Sequence, residues 1–459
     1  MKKCSLKNAT IFGGFTLGLC NVRKCTPHLQ KCLGIVGLLS GIFFFAPLTQ
    51  ASDLVKIRIK SQLKNVQLKG VSLSFQSKDI LDPYQTVALP RLSMAEVSTE
   101  MIGAIQREWK IIFPEQNKEA LRIFSNKLVV KGELVQLGMD PVPSKLYFYP
   151  TANNRIDVVA ELDIESYLAG VLPSEMPASW PLEALKAQVV ASRSYMRNIM
   201  NSRKAEHYHL EATIHDQVYN AINIVGANPI HRQKISRAIR ETRGQYLLDP
   251  KGHVYRAFYH ADCGGQTEEP EHVWAMTQKN GTVKDPFCPQ SPNSIWNLEL
   301  NRSELTALLK EQLGVIGDKE FKAVLITQRS ASGRVSEIAV MFDHEPIKHM
   351  SAQDFRKMVG FNKLKSTNFK FQWFGDIMKV SGKGHGHGVG LCQWGARSLA
   401  LAGMTYERIL HRYYPYTTLR KPPVATPPLL EVPQLKMHRM SEENHKEPES
   451  SVAPKKVAL

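Results

Sequence analysis

Apolar and polar residues alternate along Leu54-Val-Lys-Ile-Arg-Ile59 and again over residues 71–75, a period of two that predicts strands with one buried face. A second strand-like set spans residues 128–135, resumes over 145–149 and continues through 156–160. The period then lengthens. Leu182, Leu185, Val189 and Met196 fall on one face of an Ala-rich run from Pro181 to Met200, which predicts an amphipathic helix with proline in its first turn. Shorter helices are expected over 235–242, 303–313 and 351–359, and a further strand over 335–342. This mixture, with no internal repeat, predicts an α+β fold of largely antiparallel strands with inserted helices.

The two ends read differently. Residues 1–51 carry Lys2, Lys3, Lys7, Arg23, Lys24 and Lys31 and no acidic residue. An apolar run over 33–48 follows, then Thr49-Gln50-Ala51, a small-x-small pattern suited to cleavage. Export is therefore expected, with the segment either removed after Ala51 or retained as a membrane tether. Residues 421–459 hold seven prolines and many charges with few large apolar groups, and are expected to be a disordered tail. Between the ends, a strand-rich region over 52–150 and a catalytic unit over 151–420 are expected.

Export changes the charge and cysteine accounts. The formal charge of +17 becomes +11 without the first 51 residues, still basic enough to favour an anionic envelope surface, whether phospholipid or acidic wall polymer. Nucleic acid is excluded by compartment. Of seven cysteines, Cys263, Cys288 and Cys392 lie beyond residue 51. In an oxidising compartment Cys263 and Cys288 are expected to pair, leaving Cys392 free, and metal binding by His260, Cys263 and Cys288 is the less favoured reading.

The candidate chemistry centres on Glu175, in the run Gly170-Val-Leu-Pro-Ser-Glu-Met-Pro-Ala-Ser-Trp-Pro181. Pro173 and Pro177 argue against a continuous helix there and place the carboxyl on a stiff turn. Met176 and Trp180 are expected to desolvate it, which would raise its pKa and suit it to proton transfer. Three further segments gather small and polar residues: 208–219, 258–268 and 382–396. In the last, glycines at 382, 384, 386, 388 and 390 allow close backbone approach or positive φ, and interleaved histidines suggest a ligand-facing loop.

Taken together, these segments resemble the stage II sporulation protein D family (SpoIID/LytB) of bacterial cell-wall proteins over residues 155–415. The resemblance is carried by Asp163-Ile-Glu-Ser-Tyr-Leu-Ala-Gly-Val-Leu-Pro-Ser-Glu-Met-Pro177, Glu183-Ala-Leu-Lys-Ala-Gln-Val-Val-Ala-Ser-Arg-Ser-Tyr195 and Asp216-Gln-Val-Tyr219. Cys263-Gly-Gly-Gln-Thr267, His387-Gly-Val-Gly-Leu-Cys-Gln-Trp-Gly-Ala396 and Ile409-Leu-His-Arg-Tyr-Tyr-Pro415 complete it. It implies a peptidoglycan lytic transglycosylase acting on glycan strands, with Glu175 as its catalytic acid and no cofactor. Its LytB side implies the alternative, a non-catalytic enhancer of a cell-wall amidase, and a structural divisome component tethered to the membrane is a third reading.

Other roles follow from motif positions. Lys186 and Arg193 share a helix face and could hold acidic groups of the glycan or pair with the protein's own acids. Gln217 and Tyr219 could bind sugar hydroxyls or pack the loop. His387 could meet substrate or brace the glycine loop, and Gln393 and Trp394 could offer an amide and a stacking face. The resemblance also implies, for some members, a zinc site of His and Cys in the loop after the catalytic helix. Here that loop has His207, His209 and His215 but no cysteine, so zinc is not favoured there.

Overall fold

The computed structural model describes residues 54–77, 86–88, 92–102, 106–114, 121–225, 228–274, 276–288, 291–292 and 294–421. The expected leader and tail, apart from Lys421, lie outside them. Among the described residues no helix is long and apolar enough to cross a membrane.

The alternating segments form one large, mostly antiparallel sheet, as expected for α+β. Leu54–Leu63 pairs antiparallel with Ile156–Asp163 on one side and parallel with the short Leu210–Glu211 on the other. Ile156–Asp163 pairs with Lys145–Pro150, which pairs with Leu128–Leu137, and the order continues through Val66–Ser77, Ser93–Ile102, Gln106–Ile112 and Leu121–Phe124. The sheet therefore runs through the boundary expected at 150/151. Alternation places Val55 and Ile57 in the core at 0% exposure, while Arg58 faces outward and pairs with Asp157 and Glu211.

Two helices pack on this sheet. The first, α1 (Ile164–Glu175), was not expected from the sequence. Asp163 caps it by accepting the Glu165 and Ser166 N–H groups, and Ile164, Tyr167, Leu168, Val171 and Leu172 form its buried face. Pro173 lies in the last turn and removes one intrahelical N–H there, yet the helix continues to Glu175, with the Met176 N–H reaching Leu172 O at 2.9 Å. The second, α2 (Leu182–Ser202), is the expected Ala-rich helix, buried over most of its length.

A second core lies within the expected catalytic unit. Trp296, Leu305, Leu309, Val324, Ile338, Val340, Phe355, Met378 and Val380 form it, between two three-stranded sheets and the helices Arg302–Leu313 and Ala352–Val359. The chain then returns to the first core through Leu391–Cys392, parallel to Tyr259–His260. Buried polar contacts fasten the inserted unit. Glu268 accepts from Ser330 and Ser332, and Arg334 donates to Cys263 O at 2.6 Å.

Candidate active site

Glu175 ends α1 and looks into a cavity of about 890 Å³ between the two cores. The first core supplies Tyr195, residues 214–216, Val218, Phe258, Tyr259, His260 and Trp274; the inserted unit supplies Ser351, Asp354, Arg356, Lys357 and Phe361. The volume suits a multi-ring ligand. The Val218 N–H donates to Glu175 Oε1 at 3.3 Å. Burial pushes the carboxyl up to about 7, partly offset by hydrogen bonds from Val218, Tyr259 and Gln393. Among the described residues Glu175 has no ion-pair partner. Of the other cavity carboxyls, Asp216 is paired with Arg203 at 2.7 Å, and Asp354 accepts the Ser351 hydroxyl at 2.6 Å.

The groups around Glu175 are held from behind. Gln217, 1% exposed, donates from Nε2 to Tyr259 Oη at 3.1 Å and to Ser192 O at 3.2 Å, and accepts from Tyr167 Oη at 2.9 Å. With its oxygen already accepting from Gln217, the Tyr259 hydroxyl is free to donate toward the carboxyl. Phe258 stacks on Trp274 with ring centroids 4.3 Å apart, and His387 meets the Trp274 edge at 4.9 Å. His387 Nδ1 accepts the Val389 N–H at 3.0 Å, which leaves its proton on Nε2. Burial, then the neighbouring His260, Arg356 and Arg334, hold its pKa well below 6.5, so it is neutral.

The glycine loop makes this wall by close approach. Gly390, at φ +74°, packs so tightly that an added Cβ would lie 2.0 Å from Phe258 O, and at Gly386 one would lie 2.8 Å from His260 Cβ.

Of the catalytic and substrate-binding residues singled out in the sequence, the cavity gathers Glu175, His387 and Gln393, and the metal candidates His215 and His260 also line it. The others are elsewhere. Lys186 pairs with Glu183 and Glu241 at 2.8 and 2.6 Å, and Arg193, fully buried, pairs with Glu165 and donates to Thr242 O. Both serve the protein's own acids, so the glycan-binding alternative is corrected. Tyr219 stacks on Tyr167 with centroids 5.6 Å apart and fills the space beside Gly170. Gln217 stands behind the wall. Trp394 meets Trp180 edge-on at 5.0 Å, with Arg397 over both rings, and neither indole lines the cavity. Trp180, expected beside the carboxyl, packs on Trp394 instead of lining the cavity, whereas Phe258, Tyr259 and Trp274 line it with Glu175. Tyr259, Trp274, Arg356 and Lys357 were missed, the last two because nothing local in the sequence says that the inserted unit faces Glu175.

The expected Cys263–Cys288 disulfide is also corrected. The two are free thiols with Sγ atoms 3.5 Å apart, and Cys263 Sγ donates instead to Asp285 Oδ2 at 3.4 Å. His260 does not join them; its Nδ1 donates to Val389 O at 3.0 Å. The loop histidines stay apart as well. His207 stacks on Tyr149, His209 Nδ1 accepts the Lys56 N–H at 3.2 Å, and His215 is exposed at the cavity rim.

Fold and cavity define a protein with a buried carboxyl, Glu175, that has no ion-pair partner among the described residues, and with a second unit folded over it. A family model described as stage II sporulation protein matches residues 152–248, which carry α1, Glu175 and α2, and a domain of unknown function matches 288–390, the inserted unit. The chain is 33% identical over 271 residues to an uncharacterized protein of Brachyspira hyodysenteriae, covering 59% of this chain and 69% of that one. It is 28% identical over 324 residues to stage II sporulation protein D of Bacillus subtilis, covering 67% and 90%. With the amidase enhancer of Bacillus subtilis it shares 29% identity over 296 residues, 55% of this chain and 40% of that one. The chain belongs to the SpoIID family.

Proposed function

We propose that the protein is a peptidoglycan lytic transglycosylase, exported to the cell envelope, that cuts glycan strands with Glu175 as acid and then base. The observation that carries the reading is the Glu175 carboxyl, lifted to about 7 at the cavity wall with no ion-pair partner among the described residues. Ordinary glycoside hydrolysis uses two carboxyls; here Asp216 and Asp354 are already engaged. One suffices if the substrate supplies the nucleophile. Glu175 gives its proton to the glycosidic oxygen as the bond from that oxygen to the muramic anomeric carbon breaks. The muramic 6-hydroxyl then attacks the same carbon, and its proton passes to the Glu175 carboxylate. No water is consumed and a 1,6-anhydro end forms. Tyr259 and Gln393 hydrogen-bond the carboxylate stage. Arg356 and Lys357, on the opposite wall, suit the acidic lactyl or stem-peptide groups.

The test is digestion of purified glycan strands, with and without stem peptides, by the full chain and by Glu175→Gln. Anhydro-muramyl ends from the wild type alone support the reading. The second reading, an enhancer that binds wall and stimulates an amidase, is favoured by the relative named amidase enhancer. Intact strands bound equally by both proteins would select it.

A further inference from the structure

Away from the cavity, Asp262, Cys263, Cys288 and Cys392 converge with one ligand atom each, all within 4.8 Å of one another. All four are buried, three of them at 0% exposure. They come from three segments: the end of Tyr259–His260, the turn after Asp285, and the cap of the helix Gln393–Leu401. We propose that this cluster is a structural zinc site with three thiolates and one carboxylate as ligands. The inference is independent of the glycan-cleaving reading.

The geometry argues for a metal over a crosslink. The Cys263 and Cys288 sulfurs lie 3.5 Å apart. A disulfide needs about 2.05 Å, whereas Zn–S bonds of about 2.3 Å at tetrahedral angles put sulfurs roughly 3.8 Å apart. The Asp262 carboxylate is half satisfied: Oδ1 accepts the Gly264 N–H at 2.7 Å, while Oδ2 is buried with no hydrogen-bond partner among the described residues. Such an atom in a dry interior calls for a cation. Cys392 Sγ accepts N–H groups from Cys263 and Gly395, both at 3.4 Å, at the start of a helix, so its sulfur stands in the cluster as an acceptor. The Arg334 guanidinium, 1% exposed, has Nε and Nη1 unpartnered among the described residues and donates to Cys263 O through Nη2, so a buried cation offsets the negative charge of a three-thiolate, one-carboxylate centre. Soft sulfur ligands select zinc over hard cations, and four buried protein ligands leave no open position for catalysis.

The metal would act as a clamp. Cys263 and Asp262 follow Tyr259, and Cys392 precedes Gln393, so one ion ties together the two segments that present hydrogen bonds to Glu175.

The full chain, purified without reductant or added metal, is expected to carry about one zinc per chain by elemental analysis, and Cys288→Ser and Cys392→Ser roughly tenfold less. Should those variants fail to fold, the wild type suffices. Cobalt exchanged for zinc should give an intense tetrahedral d–d spectrum with sulfur-to-metal charge-transfer bands. Zinc-free chain showing a Cys263–Cys288 disulfide in a non-reduced peptide map would overturn the proposal. So would zinc retained undiminished in folded Cys392→Ser, or a cobalt spectrum lacking the sulfur bands.

Discussion

Replacing Glu175 by Gln should change the pH dependence of stability, and the size follows from the cavity. The folded chain holds this carboxyl at about 7 against an ordinary 4.5, with burial as the main cause. Between those values the folded chain keeps a proton that the unfolded chain has released. The contribution of this group to stability is therefore intact below about pH 4.5, falls as pH rises through the interval, and is flat above about 7. At about 1.4 kcal/mol per pH unit, the loss comes to somewhat more than about 3 kcal/mol. Glutamine cannot ionise, so Glu175→Gln should escape the loss and gain about 3 kcal/mol on the wild type between pH 4.5 and 8, whatever constant offset the amide brings. Urea unfolding of both proteins at four pH values reads the difference. A difference independent of pH would refute the claim that Glu175 is desolvated and unpaired.

Further outcomes follow from the same geometry. If Glu175 gives the proton, kcat/KM should fall above about pH 7, and Tyr259→Phe, which removes a bond favouring the carboxylate, should move that limb upward in a pH–rate profile. Arg193→Met leaves Glu165 without its buried partner and should cost about 3 kcal/mol in denaturant unfolding while sparing turnover of the folded fraction, which a glycan-binding arginine would not. Retention on wall sacculi should fall between low and high salt, as the basic charge (+17, or +11 without the first 51 residues) predicts, and co-sedimentation at two ionic strengths measures it.

Much of the frame was legible because period and burial agree. The strand Val335–Phe342 and the helix Leu182–Ser202 follow the apolar spacing closely, as does Ala352–Val359 with Ser351 as its cap. Helix α1 was hidden by Pro173, although Asp163 with Glu165 in the first turn was a legible start signal. The site divides the same way. Glu175 stood out locally, through its motif and its prolines. Arg193 and Gln217 carry equally specific motif positions, but their partners Glu165, Thr242, Tyr167 and Tyr259 are remote in sequence, so nothing local distinguished a bracing role from a binding one. The cysteines show the same limit. Pairing arithmetic among three thiols could not reveal that Asp262 and Cys392 meet Cys263 and Cys288.

The most direct test of the central claim is the origin of the new glycan end. Purified strands are cut by the full chain in oxygen-18 water and the products weighed by mass spectrometry. Transfer to the muramic 6-hydroxyl predicts ends one water lighter than reducing ends, free of label, and absent with Glu175→Gln. Labelled reducing ends, or anhydro ends undiminished in the variant, would contradict it.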